Sequence, residues 1–151
     1  MHTEKPAPRG WPRISSAVFY DDPAKAIDWL CDTFGFEVRL KVEGEGGRIE
    51  HSELEFGDGL VMVGSTDDRH EPPMPAKSPT SLGGANTQAL CVYLDDVDAH
   101  YEQVRKAGAK IMMPPKTSDY GDDYWVDRSY RVEDLEGHQW WFVQRVREQG
   151  A

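Results

Sequence analysis

The chain has 151 residues, enough for one domain of ordinary size or two small modules sharing a core. Its 27 acidic and 17 basic side chains give a formal net charge of −10, which argues against nucleic-acid binding, because phosphate contacts need clustered Lys and Arg. Hydrophobic residues make up 38%, enough for a packed interior, and no apolar run approaches the ~18 residues of a membrane span.

In chain order, residues 1–13 hold three prolines and lack the apolar core of a signal peptide, so they read as a flexible arm. Residues 14–20 are rich in β-branched and aromatic types and predict a strand. Asp22-Pro23 opens a helix, with Asp as N-cap and Pro at the first helical position. Ile27, Leu30, Cys31 and Phe34 follow at helical spacing, and Gly35 ends the helix. Residues 36–42, 49–56 and 60–63 predict strands. GEGG at 44–47 leads into a strand, so it is a turn rather than a phosphate loop, and GDG at 57–59 is a tight hairpin turn. Residues 66–86 hold four prolines with several Ser, Thr and Gly and predict a linker loop.

The same grammar then returns. Residues 89–94 predict a strand. Asp96 caps a helix whose Val97, Tyr101 and Val104 share a face, and Gly108 closes it. Residues 110–113 predict a strand ended by Pro114-Pro115, and 116–127 a long polar and aromatic loop. A hairpin over 129–143 turns at Glu133–Gly137 and ends in adjacent Trp140 and Trp141, which must face opposite ways on a strand. VFYDDPAKAI (18–27) lies over VYLDDVDAHY (92–101), so Asp22 and Asp96 are equivalent. The chain is therefore two copies of strand–helix–strand–strand–strand, at 14–65 and 87–146, with a tail at 147–151. The expected fold class is α+β, two small mixed sheets each carrying a helix on one face. Cys31 and Cys91 sit in no metal-like or redox-like spacing, which fits a cytoplasmic protein with reduced thiols.

Three stretches, VFYDDPAKAIDWLCDTFGF, LCVYLDDVDAHYEQVRKAGAKI and DRSYRVEDLEGHQWWF, resemble the vicinal oxygen chelate superfamily of glyoxalase I, bleomycin-resistance proteins and extradiol dioxygenases. The last stretch has Leu135 where that pattern usually has Pro. The resemblance implies paired βαβββ modules whose sheets curve around a cavity, and a homodimer. It also implies that Trp140 and Phe142 face the helix while Trp141 and Val143 face the cavity.

The metal ligands of such enzymes carry over to Ser15 or Ser16, Met62, Ala89 or Gln88, and Trp141. None is His, Asp, Glu or Cys, of which a first-row divalent ion needs three or four. The expectation is a branch of the bleomycin-resistance type with no metal, no other cofactor and no catalytic residues. Of the five histidines, His2 falls in the arm, His70 in the linker and His138 beside the hairpin glycine. His100 is expected on the solvated side of its helix. His51 alternates with Glu53 and Glu55 on one strand face, either a wet face or a displaced metal site.

With no metal, the cavity would be lined by Ala17, Phe19, Met62, Cys91, Tyr93 and Trp141, an apolar, flat-ringed surface suited to planar molecules. Tyr120, Tyr124 and Trp125 stand among aspartates in the 116–127 loop, a composition suited to a cation. The expected ligand-binding residues are Phe19, Met62, Tyr93, Tyr120, Trp125 and Trp141. The expected partner is a small aromatic or cationic compound, in the manner of antibiotic sequestration. The alternatives are a glyoxalase- or dioxygenase-type enzyme with displaced ligands and a regulatory module with a filled cavity.

Overall fold

In the computed structural model, which describes residues 5–67 and 69–151, two aspartates start the two helices. Asp22 Oδ1 accepts a hydrogen bond from the Lys25 amide at 3.1 Å and opens α1 (Pro23–Trp29). Asp96 Oδ1 accepts one from the Ala99 amide at 3.0 Å and opens α2 (Val97–Lys106). α1 runs on into a wider π-type turn, Leu30–Phe34, and ends at Gly35, whose φ of 89° suits a residue without a Cβ. Because the two caps do the same work, Asp22→Ala and Asp96→Ala should each lower stability by about 1 kcal/mol in urea titrations. A parent-like midpoint for both variants would count against their equivalence.

The chain divides into two compact units, residues 1–78 and 79–151. In the first, β1 (Ser16–Tyr20) runs parallel to β4 (Gly59–Ser65). β3 (Ile49–Phe56) is antiparallel to β4 and to β2 (Glu37–Glu43), giving the order β1-β4-β3-β2. The second unit repeats this: β5 (Leu90–Tyr93) is parallel to β8 (Gln139–Arg147). β7 (Val126–Glu133) is antiparallel to β8 and to β6 (Lys110–Asp119), giving the order β5-β8-β7-β6. Each unit is thus a βαβββ module with an open four-stranded mixed sheet, as the repeat implies.

One face of each sheet is covered by its helix. Val18, Tyr20, Leu54, Ile27, Leu30 and Phe34 are fully buried in the first unit. The second unit buries Trp140, Phe142, Tyr130, Val132, Val97 and Val104. In that core the rings of Phe142 and Tyr130 stack at 5.4 Å, and the His100 ring lies 4.3 Å from Phe142. His100 therefore points inward, contrary to the solvated position expected for it. Its Nδ1 shares a 2.7 Å hydrogen bond with the Tyr130 hydroxyl, whose pKa is pushed up by burial and secondarily by Tyr101, so it stays protonated.

The expected end of the sixth strand at Pro114-Pro115 is also corrected. β6 continues to Asp119, and the 116–127 loop shrinks to residues 120–125. Two facts accommodate the prolines: β6 lies at the edge of its sheet, and the register with β7 shifts between Met113 and Lys116. Prolines, lacking an N–H, are tolerated at edges and in bulges. At the other end of the chain, residues 9–11 are held to β2 by Arg39, which donates to the Arg9 carbonyl at 3.1 Å and to the Gly10 carbonyl and lies 5.6 Å from the Trp11 ring. The first four residues of the expected arm, His2 among them, lie outside the described residues.

Candidate ligand-binding site

On the sheet face turned away from α1, the first unit holds a pocket of about 480 Å³. Parallel register places Ala17 beside Met62 and Phe19 beside Gly64. The Phe19 ring lies directly over Gly64, where a Cβ would come within 2.9 Å of it, so glycine is what lets this ring lie flat on the neighbouring strand. Phe19, Met62 and Met74 give the pocket its apolar wall, and Arg48, His51 and Asp67 give it polar groups. Arg48 is committed to Asp67 at 2.9 Å and to Glu50 at 3.1 Å. His51 Nε2 is 2.7 Å from Glu53 Oε2, and Glu53 is buried, with Arg39 at 3.5 Å from its other oxygen. A buried carboxylate holding an imidazole at a pocket wall can orient it for proton transfer.

In the second unit, the face turned away from α2 carries a row set by register. Cys91 pairs with Trp141, Trp141 with Arg131, and Arg131 with Met113. Directly opposed residues share a face. The Arg131 guanidinium lies 5.4 Å from the Trp141 ring centroid. Trp140, one residue earlier, is fully buried on the other face and donates its indole N–H to Asp134 Oδ2 at 3.0 Å. The adjacent tryptophans therefore have separate surroundings: one a helix-side core, the other an arginine.

Two of the remaining expected ligand-binding rings, Trp125 and Tyr93, already hold a cation. Arg145 lies 4.9 Å from the Trp125 ring and 5.4 Å from the Tyr93 ring. Its Nε donates to Asp127 at 2.5 Å and an NH2 nitrogen to the Tyr93 hydroxyl at 2.9 Å. Tyr120 is 56% exposed and packs its ring 6.1 Å from Trp125. Arg147 donates to the Gly121 carbonyl at 3.0 Å and Gln149 to the Asp123 carbonyl at 3.1 Å. The 120–125 loop is thus bound to the end of β8. Of the six ring and thioether residues expected to bind ligand, the structure brings Phe19 and Met62 together in one pocket. It joins Tyr93 to Trp125 through Arg145 and sets Trp141 under Arg131.

Residues 13–142 match the sequence model of the Glyoxalase/Bleomycin resistance protein/Dioxygenase superfamily. The chain belongs to this superfamily. It is 33% identical over 140 residues to the uncharacterized protein Rv0887c of Mycobacterium tuberculosis, covering 91% of this chain and 76% of that protein. It is 32% identical to TioX from Micromonospora sp. ML1, whose crystal structure superposes with a TM-score of 0.69 over 89% of this chain and 99% of that one. A glyoxalase/bleomycin resistance protein from Streptomyces sp. CB03234 shares the fold at 22% identity and a TM-score of 0.59, over 85% of this chain and 96% of its own.

Two of the positions that the resemblance gives to metal ligands carry an apolar thioether and an indole, Met62 and Trp141. Met62 and Trp141 stand opposite Ala17 and Cys91, and the Arg131 guanidinium lies near Trp141. A thioether, an indole and a nearby positive charge all disfavour a divalent cation. Among the described residues no three His, Cys, Asp or Glu side chains are grouped to hold a metal, and no helix is long and apolar enough to cross a membrane. The arginines are what sequence reasoning missed. Arg131 was within reach, because once Trp141 is placed on the outer face, alternation along 129–133 puts Arg131 on the outward-facing set. Arg145 meets Trp125 and Tyr93 beside a register shift between Val126 and Asp127, which leaves no pattern in the sequence.

Proposed function

We propose that this superfamily member binds a small planar aromatic compound on the sheet faces turned away from its helices, without a metal, as a sequestering rather than a catalytic protein. The observation that carries this reading is the pocket of about 480 Å³ walled by Phe19 and Met62, a volume in the range of small-molecule sites. The flat row of Cys91, Trp141 and Met113 in the second unit supports it. A cationic ligand gains from the net charge of −10, but it would meet Arg131 at Trp141 and Arg145 at Trp125 and Tyr93. Two like charges ~5 Å apart repel by about 3 kcal/mol at an effective dielectric near 20, so neutral rings are favoured over cations.

Titration calorimetry with 2-naphthamide, 9-aminoacridine and bleomycin tests the reading. The neutral amide is expected to bind more tightly than the cationic acridine. Binding of all three weaker than about 1 mM, a free energy of only ~4 kcal/mol, would sink it. The second reading is an acid–base enzyme, and it rests on the 2.7 Å contact of His51 with Glu53 at the pocket wall. Recovering the probes chemically unchanged after incubation favours the first reading, and their consumption the second.

A further inference from the structure

We infer that the Trp141 face of the second unit selects aromatic compounds bearing a carboxylate, and that Arg131 is the group that reads it. This deepens, and rests on, the aromatic-binding reading above. Each of the other strand arginines has a carboxylate: Arg39 has Glu53, Arg128 has Asp98, Arg145 has Asp127 and Arg147 has Asp119. Arg131 has none among the described residues, in a chain with ten more acidic than basic side chains. Its Nε is buried with no hydrogen-bond partner, and a buried donor left unmade is costly. What the guanidinium does have is the Trp141 ring, whose centroid is 5.4 Å from its carbon.

A guanidinium that rests against an aromatic ring and makes no ion pair keeps N–H groups for a planar, two-oxygen acceptor. Trp141 and Met113 flank it in register on the neighbouring strands, so an aromatic ring attached to that acceptor would rest on apolar side chains. A carboxylate on a flat ring matches both parts, whereas a neutral ring gives the guanidinium no counter-charge. The overall negative charge opposes anions only weakly at this distance scale. Exposed charges beyond about 8 Å are largely screened at physiological salt, while a contact pair at a partly buried guanidinium is not.

The test is matched titration of 2-naphthoate and 2-naphthamide into the parent chain, Arg131→Met and Arg131→Lys. The parent should bind the naphthoate about tenfold more tightly or better, the gain of one charge-assisted contact. Arg131→Met should erase that preference and keep the amide affinity within about twofold, and Arg131→Lys should keep only part of it, having the charge without the fork. Equal affinities in the parent overturn the inference and leave aromatic binding standing. A preference that persists in Arg131→Met also overturns it, and failure of both probes to bind overturns the two readings together. Should Arg131→Met not fold, the parent alone decides. Because that contact pair is only weakly screened, raising salt from about 20 to about 500 mM should leave the parent's preference for the naphthoate largely intact, and loss of the preference overturns the assignment.

Discussion

Replacing Trp140 by alanine lowers the stability of the chain by about 3–5 kcal/mol, the cost of removing a large, well-packed core side chain. Trp140 has no exposed surface, its ring runs parallel to Phe142 at 6.5 Å, and its indole N–H is spent on Asp134. The loss therefore combines a cavity with a buried carboxylate oxygen that has lost its donor. The neighbouring change, Trp141→Ala, costs far less stability, because that ring is only partly covered and its contact is with the Arg131 guanidinium. It should instead remove most 2-naphthamide affinity contributed by the second unit. Urea midpoints and calorimetry on both variants separate the two effects. An unfolded Trp141→Ala beside a stable Trp140→Ala would reverse the assignment of the two faces.

Asp134→Ala should be nearly as damaging, at about 3 kcal/mol. This single buried side chain closes the β7–β8 hairpin. Its Oδ1 accepts from the amides of Glu136 and His138, each at 3.0 Å, while Oδ2 takes the Trp140 indole N–H. Hydrogen bonds to a charged group contribute about 1.5–3 kcal/mol each. They do not add in full, because removing a buried charge also relieves its desolvation. Asp134→Asn keeps one acceptor oxygen and should fall between the parent and Asp134→Ala. Thermal unfolding of the three proteins checks the order. An asparagine variant as unstable as the alanine one would show that the charge, not the acceptor geometry, holds the turn.

Local grammar made the fold legible. Asp22, Asp96 and Gly35 are capping residues wherever they occur before or after a helical run, and the Gly137 turn announces its hairpin. A repeat of that grammar then dictates two like modules. Trp140 and Trp141 could be sent to opposite faces by strand geometry, though which went where needed the family resemblance. What stayed hidden depends on register and on long side chains. Pro114-Pro115 reads as a stop unless the strand is known to lie at an edge. His100 reads as a solvated helix position unless Phe142 and Tyr130 are known to lie beneath it. Arg145 reads as a surface charge until it is known to lie beside Trp125 and Tyr93, next to the extra residue Val146 of β8. Each is a non-local fact, settled by the partner strand and not by the residue's own neighbours.

The prolines of β6 carry a last consequence. An edge strand is a template onto which another chain can add by backbone hydrogen bonding, the route to cross-β aggregation. β6 is ten residues long and would be a generous template. Pro114 and Pro115 remove two consecutive donors at its middle, and the register shift there breaks the repeat that an incoming strand would have to match. No uninterrupted run of more than four residues with a backbone N–H remains on the strand's N-terminal side, or on its C-terminal side. The pair that hides the strand from sequence reading thus also makes it a poor seed for aggregation.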